Sequence, residues 1–229
     1  MAEAIIFDLD GVIVDSEPLH LSATRLALAL IGRSLTEEEY YRRFVAFTDR
    51  ELFLALLGEG NPEIDRLVQE KQRIYRELCG EGVKAYPETV TFIRKARGAF
   101  PLALTTGSTR EEAEGILRAL GIRDAFQIVV SCEDYRRGKP DPEPYLFTAR
   151  LLRLPPRLCL VIEDTIEGVR AAKAAGMFCL ALTSTHPRKE LVEADLVLDG
   201  LGGLDPRELL SRFPFPSSLP CQAKLPRPF

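Results

Sequence analysis

Residues 5–12 read Ile5-Ile6-Phe7-Asp8-Leu9-Asp10-Gly11-Val12, the most informative stretch of the chain. Three apolar residues with strand character run straight into two aspartates spaced i, i+2. Alternate residues of a strand share a face, so both carboxylates are expected to point together at the strand's C-terminal end. Two close like charges repel, and one is normally driven neutral. A hard cation such as Mg²⁺, which takes oxygen ligands, keeps both ionised. The glycine after them permits a turn or a close backbone approach. An acidic pair placed there reads as a site.

Working outward, short apolar runs follow at residues 101–106, 127–132, 158–162 and 178–182, with a weaker one at 195–198. Helical patterns fall between and after them, at about 88–97, 110–120, 142–152, 166–175 and 189–193. Strands alternating with helices, the strands nearly all apolar, predict an α/β fold with a doubly wound parallel sheet. Ligands in such sheets lie beyond the carboxyl ends of the strands.

Residues 16–82 break the alternation with consecutive helical segments and no strand. Thr36-x-x-Glu39 and Thr48-x-x-Glu51 have the form of capping boxes, and Asn61-Pro62 opens a long helix that ends near Cys79. The segment reads as a helical cap inserted over the site, between core segments 1–15 and 83–212. Residues 213–229 carry Pro214, Pro216, Pro220, Pro226 and Pro228 and are expected to form an irregular appendage. Proline-motif recognition is the sharper alternative for that tail.

The chain has 229 residues, 46% of them hydrophobic, enough for one good core and a second small domain. A formal charge of −4 argues against a nucleic-acid partner, which wants a basic surface. The first apolar run is broken by Asp8 and Asp10, so no signal peptide is read there, and no stretch is long enough to span a bilayer. A cytoplasmic monomer is expected. Five scattered cysteines without a C-x-x-C pair, and only His20 and His186, argue against a zinc site. Cys159 and Cys179 fall within apolar runs, where a thiol acts as a small hydrophobe.

The acidic pair has partners at other strand ends. Thr106-Gly107-Ser108 offers hydroxyl and backbone donors to an anion just before a helix, where Thr109-x-x-Glu112 forms a capping box. Thr106, at the strand's tip, is the better candidate for phosphate contact, and Thr109 for capping alone. Gly138-Lys139-Pro140-Asp141-Pro142 places a lysine in a stiffened turn, with its ammonium able to reach inward. Glu163 and Asp164 end the fourth run, where they would face Asp8 and Asp10 and complete an oxygen-rich cation site. Asp164 alternatively caps the helix after it. Acids for Mg²⁺, a carboxylate nucleophile, and hydroxyl and lysine donors together describe phosphoryl transfer.

With these motifs in order, from Asp8-Leu9-Asp10-Gly11-Val12-Ile13-Val14-Asp15-Ser16-Glu17-Pro18-Leu19-His20 to Ile162-Glu163-Asp164-Thr165-x-x-Gly168, the chain resembles the haloacid dehalogenase superfamily. It is most similar to the helical-cap branch of β-phosphoglucomutases and small phosphosugar phosphatases, over about residues 3–205. The resemblance implies that Asp8 is the nucleophile and Asp10 the general acid/base. It implies that Asp8, the backbone carbonyl of Asp10, and Asp164 hold Mg²⁺, with Glu163 beside them. Thr106 and Lys139 match the groups that hold the phosphoryl oxygens. Asp10 argues against dehalogenation, since a halide leaving group needs no proton. In the cap, His20, Arg50 and Lys71 are candidate substrate residues; a solvated charge is the alternative reading for Arg50 and Lys71, and a helix-surface histidine for His20. Tyr86-Pro87-Glu88 departs from the glycine that many relatives carry after the proline.

The expected function is therefore a Mg²⁺-dependent phosphatase acting on a small phosphorylated metabolite, a sugar phosphate above all. The alternative is a β-phosphoglucomutase. A receiver-type signalling domain combines similar residues, but the helical insertion and the Asp8-x-Asp10 spacing count against it.

Overall fold

The computed structural model describes residues 3–45 and 47–215. Pro216, Pro220, Pro226, Pro228 and Cys221 lie outside the described residues. Six parallel strands form the main sheet: β1 (Ala4–Phe7), β4 (Leu102–Thr105), β5 (Ile128–Val130), β6 (Cys159–Glu163), β7 (Phe178–Leu182) and β8 (Leu196–Leu198). Their order is β5-β4-β1-β6-β7-β8. The chain lays β4 and β5 on one side of β1 and then crosses to build β6, β7 and β8 on the other. The strand order thus reverses at β1, where a doubly wound sheet opens its crevice.

Alternation along each strand sorts side chains into two cores. Ile5, Phe7, Leu102, Leu104, Leu160 and Ile162 face one side with Phe92 and Phe126, whose rings meet Phe7 edge-on. Each such side chain, fully buried, contributes about 1.5–3 kcal/mol. This face is covered by α5 (Pro87–Ala96), α6 (Arg110–Ala119) and α9 (Pro206–Ser211). The other face mixes Ile6 and Val161 with the smaller Ala4, Ala103, Cys159, Cys179 and Ala181. It receives α7 (Glu143–Leu152) and the alanine-rich α8 (Ile166–Ala174). Short side chains on both partners let α8 approach the sheet closely, which places the start of that helix beside the tip of β6.

Between β1 and β4 the chain builds α1 (Glu17–Ala29), α2 (Glu37–Arg43), α3 (Asp49–Leu57) and α4 (Ile64–Glu81). These four share a core of their own, including Leu28, Phe44, Phe53 and Leu67. The two connections pair as a short antiparallel ribbon, β2 (Val14–Asp15) with β3 (Lys84–Ala85), braced by Lys84 Nζ at 2.9 Å from Asp15. Among the described residues no helix is long and apolar enough to cross a membrane. Cys159 and Cys179 are buried thiols.

Local differences from the sequence reading have local causes. Thr48 and Glu51 close a full capping box, whereas Thr36 caps the Glu39 amide without a return bond. The Glu39 carboxylate is held by Arg43 at 2.7 Å instead. The helix expected at 189–193 is a single 3₁₀ turn, Arg188–Glu190, because so short a segment cannot repay helix nucleation. The tail begins by folding back: Phe213 and Phe215 pack on Phe178, with ring centroids 5.8 and 4.6 Å away.

Candidate active site

The strand tips converge on Asp8. Its amide donates to the Ile162 carbonyl at 3.0 Å, tying the end of β1 to that of β6. The Lys139 ammonium lies 2.8 Å from Asp8 Oδ1 and 2.5 Å from Glu163 Oε1. Lys139 reaches inward from the turn before α7, where the Asp141 amide donates to the Gly138 carbonyl at 3.0 Å. Asp8, Glu163 and Asp164 are all buried, and one oxygen from each lies within 4.8 Å of the others. Gly11 follows with φ +73°, and a Cβ there would stand 1.8 Å from Asp164 Oδ2. Glycine is therefore required at this position twice over, by conformation and by space.

Charge decides what this cluster can hold. Were all three carboxylates ionised against the one ammonium, two negative charges would be left in a buried space. Burial, with Glu163 and Asp10 nearby, pushes Asp8 up to about 7 despite Lys139. Burial and the charges of Glu163 and Asp8 push Asp164 well above the usual carboxylate range. For Glu163, burial is outweighed by the Lys139 charge and by hydrogen bonds, so it sits low. Burial also opposes the Lys139 charge, but Asp8 and Glu163 hold it well above the ordinary lysine value. The buried Asp164 Oδ1 has no hydrogen-bond partner. A divalent cation fits this donor set: hard oxygen ligands, up to two unbalanced negative charges and an orphaned carboxylate oxygen.

Glu163 is occupied otherwise. Its Oε1 accepts from Lys139 and, at 2.7 Å, from the Tyr145 hydroxyl. Its Oε2 accepts from the Asp164 amide, the Thr165 amide and the Thr165 hydroxyl, at 2.9, 3.2 and 3.0 Å. With both oxygens engaged, Glu163 serves as the anchor of Lys139, and Asp8 and Asp164 carry the oxygens still open to a cation.

Asp10 stands apart from the ammonium, bound by two hydroxyls. Ser16 Oγ donates to Oδ1 at 2.5 Å and Ser108 Oγ to Oδ2 at 2.8 Å. Ser108 thus holds Asp10, and its amide closes a turn on Thr106 Oγ1 at 3.0 Å. Since Thr106 Oγ1 accepts there, its proton remains available to an anion. Gly107, exposed between them, leaves the turn's backbone open.

The three cap residues divide. Lys71 is buried, 2.6 Å from Asp49 and 2.7 Å from His20 Nδ1, and the His20 ring stacks on Tyr75 at 4.0 Å. Burial and the Lys71 charge hold His20 well below its usual pKa, so it is neutral and accepts from the ammonium. Arg50 joins neither group; its exposed guanidinium pairs with Asp65. The sequence reading missed Tyr145, which lies 18 residues from its partner Glu163, and Tyr135, whose hydroxyl donates to the Thr106 carbonyl at 3.0 Å. Nothing local to either tyrosine announces these bonds. Ser16 stood in the quoted motif, four residues before His20, but its hydroxyl was not singled out.

Comparison with known proteins agrees with this geometry. The family model described as haloacid dehalogenase-like hydrolase matches residues 2–176. The phosphorylated carbohydrates phosphatase of Thermotoga maritima is 36% identical over 206 residues, covering 85% of this chain and 92% of that protein. The fructose-1-phosphate phosphatase of Escherichia coli is 33% identical over 175 residues, covering 76% and 92%. Among solved structures, a β-phosphoglucomutase from Clostridium difficile superposes with a TM-score of 0.80 at 26% identity, covering 93% of this chain and 97% of that one. With the acid tip of β1, the Lys139 turn and the Glu163-Asp164 doublet at one crevice, the chain belongs to the haloacid dehalogenase-like hydrolases.

Proposed function

We propose that this chain is a Mg²⁺-dependent phosphatase that hydrolyses the phosphate monoester of a small sugar through a phosphoaspartate on Asp8. The observation that carries the reading is Asp8 itself, a buried carboxylate 2.8 Å from the Lys139 ammonium and two residues from a second, hydroxyl-bound aspartate. The carbohydrate substrates named for the relatives supply the substrate class.

Asp8 attacks phosphorus while the ester P–O bond breaks, and Asp10 gives its proton to the departing sugar oxygen. Asp10 then takes a proton from water, which attacks the aspartyl phosphate, releases inorganic phosphate and restores Asp8. Ser16 and Ser108 fix Asp10 for both transfers. Lys139 and the Thr106 hydroxyl receive the phosphoryl oxygens, opposing the repulsion between an anionic nucleophile and an anionic substrate. Asp8, Asp164 and the Asp10 carbonyl would hold a divalent cation, which would supply the remaining charge neutralisation.

A phosphate-ester panel with and without Mg²⁺, scored for phosphate and for isomerised sugar, tests this. Phosphate release that stops with chelator and returns with Mg²⁺ is the expected result, and glucose 6-phosphate from β-glucose 1-phosphate without phosphate release contradicts it. Mg²⁺ at about 100 times its dissociation constant should also stabilise the fold by about 2.7 kcal/mol, visible as a rise in Tm.

The mutase reading asks the cap to grip a second phosphate. Lys71 is committed to Asp49 and His20, and Arg50 to Asp65, which favours hydrolysis. Arg50→Ala is accordingly expected to leave kcat/KM for a sugar monophosphate within about threefold, the scale of an exposed ion pair. A hundredfold rise in KM would place Arg50 on the substrate.

A further inference from the structure

We propose that Tyr145 is a positioning residue that sets the Lys139 ammonium through Glu163, an assignment resting on the phosphate role given to Lys139 above. Tyr145 lies in the first turn of α7 and is fully buried. Its hydroxyl donates to Glu163 Oε1 at 2.7 Å, the same oxygen that receives Lys139 at 2.5 Å. The ammonium also stands 5.2 Å from the centroid of the Tyr145 ring. One side chain therefore meets both members of the ion pair, the anion by its hydroxyl and the cation by its π face.

The chemistry of the face explains why a tyrosine is needed. Tyr145 packs in the core with Ala103, Ala149 and Val161, where phenylalanine would fill nearly the same space. A buried hydroxyl costs free energy unless it is bonded, and Glu163 is the partner that answers this one. Burial, reinforced by the Glu163 charge, holds the phenol protonated and so keeps it a donor.

The effect on Lys139 follows from competition. Asp8 at 2.8 Å and Glu163 at 2.5 Å both draw the ammonium, which rides on a flexible four-carbon stem. Glu163 Oε2 is fixed by its three donors, so Oε1 cannot rotate away. The Tyr145 hydroxyl occupies part of Oε1 and weakens its pull on Lys139. Without it, Glu163 takes the ammonium more fully, and less of that charge faces the phosphoryl group beside Asp8.

Tyr145→Phe, which keeps the ring and the volume, isolates the hydroxyl. Binding of inorganic phosphate in Mg²⁺ buffer, read by calorimetry, is expected to weaken about tenfold, the scale of a hydrogen bond to a charged group. KM for a sugar phosphate should rise with it. In a Glu163→Gln background the same substitution should change phosphate affinity by less than about twofold, because its route to Lys139 has been cut. A Tyr145→Phe chain with lower Tm but wild-type phosphate affinity overturns the assignment, leaving the hydroxyl a structural bond only. An undiminished tenfold loss in the Glu163→Gln background overturns it too. A wild-type chain that binds no phosphate at all would instead overturn the reading of the site.

Discussion

Asp8→Asn is expected to abolish turnover, lowering kcat by a factor on the order of 10⁴ or more, the scale seen when a covalent nucleophile is removed. The amide keeps the shape of the carboxylate but neither attacks phosphorus nor carries charge. Stability should move the other way. In the metal-free protein Asp8 is one of three buried carboxylates facing a single ammonium, and burial, reinforced by repulsion from Glu163 and Asp10, drives it towards neutrality against the pull of Lys139. Asparagine relieves that repulsion while Glu163 still pairs Lys139. The variant is therefore expected to melt higher than the metal-free wild type near neutral pH, with a smaller gain in Tm on adding Mg²⁺. Loss of activity together with higher stability separates chemistry from misfolding. Steady-state assays and thermal melts with and without Mg²⁺ check both halves, and retention of more than a hundredth of wild-type kcat contradicts the nucleophile assignment.

Gly168→Ala is the second substitution with a large expected effect, and helix propensity alone gives the wrong sign. Gly168 sits in the first turn of α8, its amide bonded to the capping Thr165 hydroxyl at 3.1 Å. Alanine in a helix is favoured by about 1 kcal/mol over glycine. Here a Cβ would lie 1.8 Å from Glu163 Oε1 and 1.9 Å from its carboxyl carbon. Neither can yield cheaply, because both Glu163 oxygens are committed to donors. Displacing Glu163 breaks a buried ion pair, which costs about 3–5 kcal/mol and outweighs the propensity gain. The net loss is about 3 kcal/mol, a fall in Tm of about 6–12 °C for a chain of this size. Activity falls as well, since Lys139 loses its anchor. Gly115→Ala, inside α6 where a Cβ meets nothing within 4 Å, is the matched control and should stabilise by up to about 1 kcal/mol. Equal melting shifts in the two variants would contradict the packing argument.

Much of the fold was legible because its signals are local. An apolar run ending in Asp8-Leu9-Asp10-Gly11 marks a buried strand and its tip within eight residues, and Thr109-x-x-Glu112 marks a helix start within four. Both stand in the structure as read. The helix α9 carries such a signal too: Asp205, followed by Pro206 at the first helical position, caps the Arg207 and Glu208 amides. The helical patterns read from the sequence stop at 193, so this one lies between them and the proline-rich tail at 213–229. What sequence could not give were bonds between distant residues. Lys71 sits on a helix rich in charge, so in sequence a solvated charge competes with a substrate contact; Asp49, 22 positions earlier, and His20, 51 positions earlier, are what bury it. The space requirement at Gly168 likewise depends on the side-chain conformation of Glu163, which Lys139 and Tyr145 set from another helix and its preceding turn.

Covalent phosphorylation of Asp8 is open to direct measurement by trapping the phosphoenzyme. Wild-type protein is mixed with a sugar phosphate and Mg²⁺, quenched in acid during turnover, and digested for peptide mass spectrometry. The peptide bearing Asp8 is expected to gain the mass of one phosphoryl group, lost on treatment with hydroxylamine and absent from Asp8→Asn. A phosphoryl group localised to any other residue, or Asp8 found unmodified in samples that are turning over with phosphoenzyme on another peptide, would contradict it.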